Sequence, residues 1–236
     1  MKALVYEAYG PPEVLHVRNV ERPIPRDDEI LINVHAAEAT KADCEMRRFN
    51  FQVKWFWLPL RVALGLKRPK RQILGGYFAG EVASVGKDVS KFAVGDRIFG
   101  AARLRLGAYA EFMSLPASYT LVLKPDNISF AEAAAMPLGG LNALKPGGRY
   151  LMANPRFSDM LRAEFTSNFT DKKVIFTFAG KKEGGLLELK RMIDDGKIRP
   201  LVDNIYPYEQ VAEAHRRVES EQRLEAVVLS PNLGQS

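Results

Sequence analysis

The sequence predicts a mixed α/β, strand-rich protein in two unequal parts, a barrel-like β domain and a short α/β unit. Three observations carry the prediction. Short apolar stretches broken by Gly and Pro run from the N-terminus to Pro125, the spacing of a small β-barrel rather than of helices. The character changes at "SFAEAAAMPLGGLNAL", where Ser129 and Glu132 stand at capping-box spacing before a helix-forming run. Beyond it, the apolar strand candidates "RYLMA" and "KKVIFTFAG" stand beside the helical pattern "EGGLLELKRMIDDGK".

Each element has a local reason. "KALVYEA" and "VLHVRNV" alternate as strands do, with "YGPP" as the turn between them. "RPIPRDDE" is a proline-bounded link into "ILINVHAAEA", a strongly apolar strand. A helix is expected from about Thr40 to Phe49. "WFWLPLRVALGLK" holds Pro59 and reads as short helical turns rather than one helix. "GYFAGEVASVG", "GDRIFGAA" and "GAYAEFMSLPASYTLVLKP" continue the strand pattern. The helix from Ser129 runs to Leu144, and Lys145-Pro146-Gly147-Gly148 turns the chain into "RYLMA". Leu186, Leu189 and Ile193 recur near helical spacing, and Gly196 ends that helix. "RPLVDNIYP" is extended, "YEQVAEAHRRVESEQ" puts Val211, Ala214 and Val218 on one helix face, and "EAVVLS" is a closing strand.

Composition narrows the function classes. At 236 residues, 47% hydrophobic and 26% charged, the chain is an ordinary globular protein of one large or two small domains. The single Cys44 excludes an internal disulfide framework and fits a reducing, cytoplasmic setting. No secretory leader and no membrane-spanning run is expected. A net charge of +6 attracts anions in general, and its densest cluster is "KRPKR", Lys67 to Arg71. No nucleic-acid-binding motif accompanies it, so nucleic acid is not an expected partner. The segment "KWFWLPLRVALGLKRPKR" has three readings: a lid over an active-site mouth, a partner-facing core, or a surface for an anionic membrane.

The segments "MKALVYEAYGPPEVL", "ILINVHAAEATKADCEMRR", "GGYFAGEVASVGKDVSKFAVGDRIFG", "GAYAEFMSLPASYTLVLKPDNISFAEAAAMPLGGLNAL", "LKPGGRYLMANP" and "GKIRPLVDNIYPYEQVAEAHRRVES" run in one order and cover most of the chain. In them the sequence resembles the medium-chain dehydrogenase/reductase superfamily, in its zinc-free, quinone-oxidoreductase-like branch. The resemblance implies a GroES-like β-barrel catalytic domain from 1–125 and 199–236, with a Rossmann domain inserted between. Only a remnant of that second domain, 126–198, is expected, with a seam at Leu144–Lys145. The sequence supports this independently. A dinucleotide fingerprint needs Gly at i, i+2 and i+5, and no two of the 18 glycines are two residues apart. Roughly 30 residues per βαβ unit would be needed for each missing repeat, and 145–198 offers two strand candidates. The apolar faces left behind call for a partner, most simply a second copy in a homodimer or higher homo-oligomer.

The resemblance also implies chemistry: hydride transfer from NADPH to a small-molecule quinone or enone, without a metal. Zinc-binding relatives carry Cys where this chain has Thr40, and His-Glu where it has Gly76-Tyr77. Thr and Tyr are poor zinc ligands. By position, Thr40 and Asp43 are the implied catalytic residues. Lys41, Met136, Gly139, Asn142 and Asn154 are the implied cofactor contacts. Each has a plainer reading: Thr40 and Asp43 as a helix cap, Met136 as core filler, Arg47 and Arg48 as solvated charges. Cys44 reads as a small buried hydrophobe, and the three histidines as structural or surface residues. Losing the pyrophosphate loop predicts impaired cofactor binding. The alternative function is an inactive GroES-like module for self-assembly or small-molecule binding.

Overall fold

The structure, a computed structural model, describes residues 1–50, 61–62, 64–139, 150–152, 174–176, 183–223 and 225–231. Strands β1 (Lys2–Val5) and β2 (His16–Asn19) pair antiparallel across a tight helical turn at Pro12–Val14. β3 (Glu29–Ala39) is the longest strand, and helix α1 (Lys41–Arg48) follows it directly. Then come β4 (Tyr77–Val85), β5 (Arg97–Ala101), β6 (Phe112–Pro116) and β7 (Leu121–Leu123). Next are α2 (Phe130–Gly139), β8 (Tyr150–Met152), β9 (Val174–Phe176) and α3 (Glu183–Asp194). β10 (Val202–Pro207), α4 (Val211–Glu219) and β11 (Ala226–Ser230) complete the order.

β3 organises the barrel. β4 lies along one of its edges from Ile30 to Glu38. On the other edge, β6 pairs with Glu29–Asn33 and β11 with Ala37–Ala39. The seven-stranded sheet continues through β5 to β7 on one side and from β11 to β10 on the other. β10 and β11 run parallel with α4 between them, so the last segment returns to the barrel formed by the N-terminal half. β8 and β9 form a separate parallel pair.

Two cores lie on the two faces of this sheet, because side chains alternate sides along a strand. Ile30, Ile32, Val34, Ala37 and Ala39 point into the barrel with Phe78, Ile98 and Leu115. Ala36 points outward, where Ala79, Phe99, Val122 and Val228 meet Ala133, Met136, Leu186 and Ile193. α2 packs across β4, β3, β11 and β5, forming the lid of this outer layer. His35 and Phe130 stack at 4.3 Å between ring centres, fixing the start of α2 against β3.

The helix signals in the sequence act as expected. Ser129 and Glu132 close a reciprocal capping box, with Ser129 N–H donating to Glu132 Oε2 at 2.8 Å. α3 ends at Gly196 with φ +67°, where Gly196 N–H donates to Ile193 O, a left-handed stop that glycine adopts without strain. Val211, Ala214 and Val218 are buried on α4 as the spacing predicts. The expected continuation of α2 to Leu144, the seam at Leu144–Lys145 and most of "WFWLPLRVALGLK" lie outside the described residues.

Candidate functional site

The end of β3 runs into the cap of α1, and this corner gathers the buried polar residues Glu38, Thr40 and Asp43. Thr40 is the N-cap. Its hydroxyl accepts from Asp43 N–H at 3.2 Å, while its own N–H and O–H donate to Asp43 Oδ2 at 3.0 and 2.5 Å. Asp43 Oδ1 accepts from Gly75 N–H at 3.0 Å. That bond ties α1 to the loop before β4. Gly75 has φ +95°, and a Cβ there would lie 2.6 Å from the Tyr109 ring, so only glycine fits this close approach.

Thr40 and Asp43 are thus together, but both are buried and engaged in the cap. Burial pushes the Asp43 carboxyl upward, and the Thr40 hydroxyl and the Gly75 and Thr40 amides pull it partly back. The Tyr109 hydroxyl acts in the same downward direction without completing a hydrogen bond. The carboxylate oxygens are held by donors aimed at them, the arrangement of a structural acid.

Glu38 contrasts with this. It stands between Ala37 and Ala39, which face the barrel interior, so its side chain faces the outer layer. In register it lies beside Tyr77 on β4 and Val228 on β11. It is 2% exposed, and its Oε2 has no hydrogen-bond partner. Burial drives its carboxyl well above the usual range, Arg223 opposes this, and Asp43 adds to it. The Tyr77 hydroxyl is pushed up to about 12 by burial, with Glu38 and Asp43 adding to the effect. Sequence reasoning passed over Glu38, since one acid in "HAAEA" looks like a solvated strand residue. Its alternation with Ala37 and Ala39 was the available signal.

The residues implied as cofactor contacts are scattered. Met136 is fully buried in the outer layer, and Gly139 ends α2. Lys41 pairs with Glu221 at 2.5 Å. Asn142 and Asn154 lie outside the described residues. A small polar hollow beside α1 is lined by Lys41, Cys44, Glu45, Arg48, Asn50 and Glu219. Its cations already have acidic partners, Arg48 meeting Glu219 at 2.8 Å. Arg47, read from sequence as a solvated charge, is instead fully buried against Glu219 because α4 packs onto α1. With Met136 enclosed, Lys41 paired and no GxG in the chain, these residues do not fit a dinucleotide's pyrophosphate.

Metal and thiol chemistry find equally little support in the donor set. Thr40 Oγ1 is committed to Asp43, and Tyr77 is a weak ligand. Among the described residues no cluster of three His, Cys, Asp or Glu could hold a metal ion. Cys44 Sγ lies 3.4 Å from His215 Nδ1. Burial pushes the thiol up to about 12 and the imidazole down to about 3, so both are neutral near pH 7 and the pair is not an activated nucleophile. Among the described residues no helix is long and apolar enough to cross a membrane.

Comparison with known proteins gives this architecture a lineage. Residues 26–126 match the alcohol dehydrogenase GroES-like domain family, and 127–229 match the zinc-binding dehydrogenase family. A quinone oxidoreductase of Pseudomonas aeruginosa is 37% identical over 140 residues, covering 59% of this chain and 38% of the relative. The NADPH-dependent alkenal/one oxidoreductase of Arabidopsis thaliana is 34% identical over 146 residues, covering 58% and 34%. The chain therefore spans little more than a third of the length of these relatives. The solved quinone oxidoreductase of Coxiella burnetii superposes with a TM-score of 0.73 at 17% identity, covering 98% of this chain and 99% of that one, a likeness of fold. With its GroES-like domain, partial cofactor-binding domain and run of family matches from 26 to 229, the chain belongs to the medium-chain dehydrogenase/reductase superfamily, in the quinone-oxidoreductase-like branch.

Proposed function

We propose that the chain is an oxidoreductase of the zinc-independent quinone and enone reductase type, with its dinucleotide affinity reduced. The observation that carries this is the uninterrupted run of family matches, joined to relatives named for quinone and alkenal/one reduction. NADPH is the dinucleotide the reading implies, and it would supply hydride when bound. The chain's own part is to receive the carbonyl substrate at the outer face of the barrel and to keep water from it. Thr40 and Asp43 act there as positioning residues, holding the start of α1 and the Gly75 loop beside the site.

The same reading divides the chain into a barrel of 1–125 with 199–236 and a cofactor-domain remnant of 126–198. The return of β10 and β11 to the barrel sheet supports that division. It also includes a homodimer or larger homo-oligomer, supported by β8 and β9, which among the described residues pair only with each other. Losing the pyrophosphate cradle removes backbone hydrogen bonds and a helix-dipole contact, about 3 kcal/mol or more of affinity. Calorimetric titration of NADPH, with the mass in solution measured alongside, tests the proposal. Weak but saturable binding, in the high micromolar range, is expected. No heat up to millimolar NADPH would reduce the oxidoreductase label to ancestry and favour the inactive binding module.

A further inference from the structure

Glu38 carries a buried oxygen that the fold leaves unused. Its Oε2 has no hydrogen-bond partner, although the side chain is 2% exposed. A buried polar atom without a partner is unfavourable, so packing alone gives no reason for an acid at this position. Its neighbours do not explain it either. Val228, beside it in register, belongs to the same apolar layer as Ala36, Ala79 and Met136. Tyr77, in register on the other side, brings a hydroxyl to the same face. Asp43, one turn into α1, has its own donors from Thr40 and Gly75 and offers Glu38 nothing.

Such surroundings favour the neutral acid, and the direction of the Glu38 shift agrees with them. A neutral carboxyl in an apolar layer is a strong O–H donor with no net charge. That chemistry selects its ligand. The apolar walls of Ala36, Ala79, Met136 and Val228 disfavour a charged ligand, whether phosphate, carboxylate or ammonium. A small, flat, uncharged molecule with a carbonyl oxygen satisfies both the apolar walls and the donor.

We propose that Glu38, flanked by Tyr77 on the outer face of the barrel sheet, donates the hydrogen bond that receives the carbonyl oxygen of a small conjugated ketone or quinone. This deepens the reductase reading by naming the group that recognises the substrate, and it rests on that reading for the substrate class. Binding requires no dinucleotide. Glu38 keeps its proton throughout, and no covalent bond is made or broken.

The test uses the intact chain and two probes, cyclohexenone and benzoquinone, each labelled at the carbonyl carbon. Infrared difference spectra of the labelled carbonyl are recorded during titration. Binding of at least one probe is expected, with its carbonyl band moved to lower frequency. Glu38→Gln, nearly isosteric and a weaker donor, should reduce the band shift. Glu38→Leu should abolish it and weaken binding about tenfold, the loss of one buried hydrogen bond. Circular dichroism and unfolding of both variants establish that they fold, and a merely structural Glu38 would alter unfolding without moving the band. An unchanged band shift in folded Glu38→Leu overturns the proposal. So does an unshifted band, or no binding of either probe, in the wild type. NADPH calorimetry judges the reductase reading separately, because it involves no carbonyl probe.

Discussion

Two buried acids five residues apart, Asp43 and Glu38, receive opposite treatment from the same corner of the fold. Asp43 accepts hydrogen bonds at both carboxylate oxygens, from Thr40 and Gly75. Glu38 has an oxygen with no donor at all. Both are almost completely enclosed, at 1% and 2% exposed, so burial alone does not separate structure from recognition. Satisfaction of the polar atoms does. An acid whose oxygens are all held contributes to the fold, and one left open in an apolar layer is available to a ligand.

The largest expected effect tests the satisfied member. Asp43→Ala removes half of the α1 capping box and leaves the Gly75 and Thr40 amides buried without an acceptor. Together these losses should destabilise the protein by about 3 to 5 kcal/mol, read from urea unfolding. A loss below about 1 kcal/mol would mean that water or a shifted side chain replaces the carboxylate, and the contrast with Glu38 would fail. Next comes the layer that encloses Glu38. Met136 is fully buried there, so Met136→Ala should destabilise by about 2 to 4 kcal/mol through the lost contacts and the cavity. A small effect would instead show that the wall beneath α2 collapses easily.

How far the sequence reveals this contrast depends on whether each feature is local. Thr40 and Asp43, three residues apart, announced the cap of α1, and Ser129 and Glu132 that of α2; both form. Val211, Ala214 and Val218 likewise marked the buried face of α4. The burial of Glu38 was not legible, because its neighbours Tyr77 and Val228 come from β4 and β11, brought beside it only by strand pairing. Cys44 is the buried residue its type suggests, but its neighbour His215 comes from α4, far along the chain. Arg47 looked solvated until α4 supplied Glu219. Of the implied site, Thr40 and Asp43 were found together but turned inward, while Glu38 and Tyr77 were recognised only through strand register.

The unsatisfied member has its own stability signature. Burial raises the Glu38 acid in the folded state above its unfolded value of about 4.3. Its contribution is therefore fully present below that unfolded value and is lost as pH rises through the folded one. Asp43 is shifted in the same direction and remains in both proteins, so comparing wild type with Glu38→Gln isolates Glu38. Arg223 opposes the shift from outside α1, and Tyr77, near 12, does not titrate in this window. As pH rises above the unfolded value, the wild type should lose ground to Glu38→Gln by up to about 1.4 kcal/mol per pH unit, until the folded acid has titrated. Parallel pH profiles of the two urea midpoints would mean that Glu38 titrates normally and is solvated.

The smallest expected effect comes from Lys41, beside Thr40 but outside the enclosed corner. It pairs with Glu221 at 2.5 Å, with side chains 43% and 71% exposed. Water screens such a pair, and holding two long side chains in register offsets most of the attraction. Lys41→Ala should change the unfolding free energy by less than about 0.5 kcal/mol, with little dependence on salt. A loss comparable to that of Asp43→Ala would make the start of α1 electrostatically rather than sterically fixed. The boundary between satisfied and unsatisfied polar groups would then have to be drawn around Lys41 as well, with the open side of α1 counted as part of the site's support.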